Sequence, residues 1–181
     1  MTVLTEGARK IAARAAGQAR AYAAGQDRPL GGYAVTMVTY ATVAGALAGL
    51  ARLTGRPVPE RLAGADIAIF GTATYKLSRL LAKDPVTSPL RAPFATYTGT
   101  SGPAELSEDV RGSGGRKAIG ELVTCPFCMG VWISTVLTAG TIYLPRTTRL
   151  AAGTCAALAL SDLLQFGHSL LEQAAEGQAP G

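Results

Sequence analysis

Leu122–Leu144, LVTCPFCMGVWISTVLTAGTIYL, contains no charged residue, and Glu121 stands directly before it. A stretch of this length and composition reads as a membrane-spanning helix. It opens on Cys125-Pro126-Phe127-Cys128, two thiols three residues apart with a proline between them. Such a pair at the mouth of a membrane helix can be a redox couple, half of a metal site, or a helix start that contains cysteine.

Working outward, three further segments fit the same class. Leu30–Ala51 is also uncharged. At 1.5 Å per residue it reaches about 33 Å, enough to cross the hydrocarbon core. Ala44, Gly45, Ala48 and Gly49 offer it a close-packing face, and Gly55-Arg56-Pro57-Val58-Pro59 ends it. This run begins after a charged segment and is longer than a signal core, so it reads as a retained anchor. Leu62–Leu81 is weaker because Asp66 and Lys76 bound a short apolar centre; a re-entrant or interfacial helix is the alternative there. Leu150 to about Leu171 forms the last span, with Asp162 and His168 in its second half. The predicted fold is all-α, a polytopic membrane helical bundle of about four transmembrane helices. A soluble alanine-rich domain is the competing class.

The remaining chain divides into a basic N-terminal segment, residues 1–29, a loop over residues 82–121, and a flexible tail, residues 172–181. The membrane domain takes residues 30–171. Thr5 is positioned to cap a helix in the N-terminal segment. Pro85, Pro89 and Pro93 keep Val86–Phe94 out of regular helix, and residues 99–115, rich in Gly, Ser and acidic groups, read as flexible. With four spans, the N-terminal segment, the 82–121 loop and the tail share one side. That side carries ten Lys and Arg residues against five on the other, so both termini are expected in the cytoplasm of a multi-pass cell-membrane protein.

The 181 residues carry a formal net charge of +5. No basic helix has interleaved aromatics, so a nucleic-acid partner is unsupported. The expected partners are the lipid bilayer and either a second copy or another membrane protein. Three cysteines are too few for a disulfide framework, and Cys155, alone in an apolar helix, reads as a packing residue.

The segment Thr72-Ala73-Thr74-Tyr75-Lys76-Leu77-Ser78-Arg79-Leu80-Leu81 runs into Lys83-Asp84-Pro85-Val86-Thr87-Ser88-Pro89-Leu90-Arg91-Ala92-Pro93-Phe94. Gly115–Thr124, the C-P-F-C pair and Trp132 follow. In order and spacing this resembles a bacterial membrane-protein family of unknown function, domain of unknown function thirteen-sixty. The likeness covers roughly residues 62–170. It implies a small bacterial membrane protein and carries over no catalytic residue.

Cys125 and Cys128 are the redox candidates. Free N–H groups at a helix start stabilise a thiolate. The Cys-Pro-aromatic-Cys form is similar to the glutaredoxin active site, although no strand–helix–strand pattern precedes it. Four-helix membrane thiol oxidoreductases use two cysteine pairs on the exported side; here one pair is expected on the cytoplasmic side. The same spacing suits zinc or another transition metal, but a structural zinc site takes four ligands. A dimer could supply the other pair. Alternatively, Cys125, Cys128, His168 and Asp162 could form a mixed site, since all four fall in one half of the predicted bundle.

Inert readings stand beside these. The cysteines suit a first helical turn next to Pro126, and His168 suits a helix end at the interface. Asp162 and Lys76 can neutralise each other as an ion pair. Asp66 reads as solvated and Trp132 as packing. Thr87, Ser88 and Arg91, beside Lys83, form a candidate headgroup or partner site. With no complete catalytic set, the expected function is a structural or interaction role, leaning away from an enzyme. The alternative is a membrane thiol-redox or metal-binding protein.

Overall fold

The computed structural model describes residues 2–176. Within them the chain is mostly helical, with one small antiparallel sheet. In chain order the elements are α1 (Thr2–Ala23), α2 (Leu30–Leu53), α3 (Gly64–Lys83), a 3₁₀ turn (Pro85–Thr87), α4 (Ser88–Arg91), β1 (Ala95–Gly102), β2 (Glu105–Val110), α5 (Gly114–Thr124), α6 (Pro126–Tyr143) and α7 (Pro145–Glu176). The α1 helix begins at Thr2, so Thr5 lies inside it rather than at its start. Of the expected tail, residues 172–176 continue α7, and residues 177–181 lie outside the described residues.

Among the described residues, three helices are long and apolar enough to cross a membrane: α2, α6 and most of α7. The α3 helix is not among them, because Asp66, Lys76, Arg79 and Lys83 interrupt its apolar side. It is nevertheless the centre of the packing. Phe70 and Ala73 of α3, Ile133 and Leu137 of α6 and Ala152 of α7 form the buried cluster, with Leu77, Leu81, Met129 and Cys155 packed against it. The expected packing role of Cys155 matches this position.

Cross-links give the helix directions. Tyr33 of α2 bonds Glu121 just before α6. The Tyr40 hydroxyl lies 2.9 Å from that of Thr135, and the Tyr143 hydroxyl donates to Leu47 O at 2.5 Å. So α2 and α6 run parallel. Asp66 and Lys76 on α3 meet Arg149 and Asp162 on α7 in the same order, so these two are also parallel. Only Leu144 separates α6 from α7, and the two pack in one cluster, so α7 turns back on α6 and α3, parallel to α7, is antiparallel to α6. The four helices thus alternate up and down. Trp132 packs edge-on against Tyr40, with ring centroids 5.3 Å apart, as the packing reading expected.

Residues 82–121, expected to be a loop with residues 99–115 flexible, instead form short helical turns, a hairpin and α5, which together make a cap. Pro85 and Pro89 start short helical turns rather than forbidding them, because proline fits the first turn, where no N–H bond is lost. Residues 95–110 form a hairpin. The α5 helix then docks on the hairpin and on α2. A Cβ on Gly32 would sit 2.6 Å from the Ala118 Cβ, so only glycine permits that approach. Lys117 donates to the Asp27 carbonyl at 2.6 Å and tethers α5 to the turn before α2.

Candidate functional site

The predicted third span is not one helix. The α5 helix ends at Thr124, and Cys125 is extended (φ −102°, ψ 109°) before α6 begins at Pro126. Cys125 therefore caps α6. Its Sγ accepts the Cys128 N–H at 3.3 Å, satisfying a backbone donor that the helix start leaves free. Both thiols are free; Cys125 is half-buried and Cys128 exposed. Phe127 between them is 91% exposed.

The other expected ligands do not join the thiols. Lys76 Nζ lies 2.6 Å from Asp162 Oδ2, so this carboxylate is spent on α3. The His168 ring faces Glu172 one turn along α7 at 3.2 Å and is largely exposed. Among the described residues, no three His, Cys, Asp or Glu side chains form a group that could hold a metal. Cys125 and Cys128 come together; Asp162 and His168 belong to separate pairs.

Asp66, expected to be solvated, instead meets Arg149 at 3.2 Å with its side chain mostly covered. Arg79 grips Glu105 of the hairpin through both carboxylate oxygens, at 2.7 and 2.5 Å. Three charges on α3 thus find opposite charges on α7 or β2. Asp66 lies near one end of α3, while Lys76 and Arg79 lie toward the other.

Arg91 is the most buried large side chain, 1% exposed. Its Nε–H and one Nη2–H go to Glu108 at 2.6 and 3.2 Å. Nη1 donates to Leu81 O at 2.9 Å and Thr87 Oγ1 at 2.7 Å, and Nη2 to Asp84 O at 3.1 Å. All five guanidinium donors are used. Thr87 in turn donates to Leu80 O at 2.6 Å. The expectation that Arg91 and Thr87 offer donors to a headgroup or partner is therefore overturned. They clamp the end of α3 to the hairpin. The spacing of Arg91 and Glu108 carries no local signal; only the hairpin brings them together.

One shallow groove of about 240 Å³ lies between α2 and α6, lined by residues such as Ala44, Ala48, Ser134 and Thr138. It contains no acid or base apart from the Tyr143 phenol, which is bonded to Leu47 O.

Residues 69–168, from the first turns of α3 to His168, match the family described as protein of unknown function (DUF1360). The chain belongs to this family. The match takes in the Arg91 clamp, the thiol pair and the Lys76–Asp162 pair, and leaves out α1 and α2. Within this DUF1360 member, 72 residues are 36% identical to the sporulation protein YjcA of Bacillus subtilis (strain 168), covering 38% of this chain and 61% of that protein. The chain thus spans about three-fifths of the length of this curated relative. No solved structure matches the chain.

Proposed function

We propose that this DUF1360 member is a four-span membrane protein with a structural or interaction role, its cap, thiol pair and both ends facing the cytoplasm. The observation that carries this reading is the path of α3. It runs back alongside α6 and α7 from the end marked by Asp66 and Arg149 to the end marked by Lys76 and Asp162. If its apolar neighbours cross the bilayer, α3 crosses with them. Its 20 residues give about 30 Å, enough for the hydrocarbon core. Charges are tolerated inside a bundle when they pair, and Asp66, Lys76 and Arg79 each have a partner.

The excess of Lys and Arg on the α1, cap and α5 side supports the orientation. In this reading residues 1–29 are a basic cytoplasmic segment, residues 30–171 the membrane domain with the cap at 82–121, and the remainder a tail. The pairing of Asp66, Lys76 and Arg79 with partners on other elements favours a structural role for these charges. One observation favours chemistry at Cys125 and Cys128, by thiol redox or by metal binding: the Cys128 N–H donates to Cys125 Sγ at 3.3 Å, which holds the two residues together at the start of α6. The relative's name directs a physiological test toward sporulation.

Single cysteines placed in a cysteine-free variant test the topology. An impermeant maleimide added to intact cells is expected to label Val58→Cys and Thr147→Cys, and to label Ser101→Cys only after the membrane is opened. Labelling of Ser101→Cys and Val58→Cys from the same side means that α3 does not cross, and overturns the reading.

A further inference from the structure

We infer that Cys125 and Cys128 bind a thiophilic divalent metal, of the zinc class, in a tetrathiolate site shared between two copies of this chain. The inference rests on the orientation proposed above and goes beyond it by naming a ligand and a partner.

The local geometry is that of half a thiolate site. The extended backbone at Cys125 and the turn through Pro126 place the second thiol's own N–H on the first sulfur at 3.3 Å. Backbone N–H donors offset the charge that a metal-bound thiolate retains. Sulfur is the donor that zinc-class ions select, and a cytoplasmic address keeps the thiols reduced and available.

The other half is not in the same chain. A closed zinc site takes four ligands, and the described residues of one copy bring only these two together. Asp162 and His168 are turned to Lys76 and Glu172.

A second copy can supply the missing pair. Copies inserted in the same direction are related by an axis along the membrane normal, so each presents its thiols at the same depth. Cys128 is exposed while Cys125 is half-buried, and Phe127, Val131, Ser134 and Thr138 form an exposed stripe down α6, the last two at the edge of the α2–α6 groove. Its small hydroxyl residues suit close approach of two helices in lipid. Each thiol releases its proton to solvent as it binds the metal.

The test uses the full chain purified in detergent, loaded with Zn²⁺ or Co²⁺ and freed of excess. The expected result is one metal per two chains, a tetrathiolate charge-transfer spectrum with Co²⁺, and a dimer that a chelator converts to monomer. Cys125→Ser and Cys128→Ser are each expected to lose the metal while Cys155→Ser keeps it. Helical content by circular dichroism shows that the variants are folded. A folded wild-type chain that retains no metal overturns the inference. So does one metal per single chain, a dimer indifferent to chelator, or a Cys125–Cys128 disulfide in place of metal. Because the labelling experiment reads topology in the cysteine-free variant, failure of either proposal is recognised separately.

Discussion

Lys76 and Asp162, 86 positions apart in sequence, meet at 2.6 Å and join α3 to α7. Lys76 is one of four charges on α3, and Asp162 is the charge in the middle of the apolar α7. Together they let two interrupted helices lie side by side in the bundle.

Lys76→Met leaves Asp162 without its partner, and Asp162→Leu does the reverse. Each single change is expected to lower the unfolding midpoint in detergent, and the double change to recover part of the loss. Thermal unfolding of the four proteins gives the coupling. It is expected on the order of 1 kcal/mol, the size of polar contacts between membrane helices. A coupling near zero means the two charges are independently solvated.

Arg91 and Glu108 form the buried pair of the cap, with side chains 1% and 5% exposed. Arg91→Met strands a buried carboxylate and is expected to cost about 3–5 kcal/mol. Arg91→Lys keeps the charge but cannot supply five donors in a fork, so it is expected to rescue little. Limited proteolysis of the hairpin, compared across these variants, reads the loss of the clamp.

Thr87→Val tests the same clamp more gently. It removes the hydroxyl that accepts from Arg91 and donates to Leu80 O. The expected cost is about 1–3 kcal/mol, since a buried donor and carbonyl lose their partner.

Gly32 and Ala118 set the contact of α2 with α5. Gly32→Ala is expected to destabilise by about 1–3 kcal/mol through overpacking. Adding Ala118→Gly is expected to relieve it. Failure of the second change to help would place the cost in the backbone rather than in the contact.

Ala104 turns the hairpin with φ +58°, a left-handed conformation that costs an L-residue roughly 1 kcal/mol. Ala104→Gly is therefore expected to raise the unfolding midpoint, or at least the protease resistance of the hairpin.

Much of the helical architecture was legible in the sequence. Uncharged runs of the right length marked α2 and α6, and an apolar run broken by Asp162 marked most of α7, because a helix closes its backbone bonds within its own segment and needs only local composition. The pairing of Lys76 with Asp162 was readable as a possibility because two opposite charges interrupted two apolar helices. The family likeness rested on ordered local motifs and came from the sequence for the same reason.

The cap and the surroundings of the thiols were decided by tertiary structure. Residues 95–110 show no apolar alternation, so only the Gly102-Pro103 turn signal marks a hairpin locally. It folds beside α3 and α4, where Glu105 and Glu108 meet Arg79 and Arg91 from distant positions. The same holds for Asp66, which looked solvated until Arg149 came alongside. The C-P-F-C motif was readable as a helix start, beside a redox couple or half a metal site, since proline suits a first helical turn; that Cys125 caps it came from the structure. Which groups stand near its sulfurs depends on how α6 and α7 pack, and that packing takes Asp162 to Lys76 and leaves His168 beside Glu172.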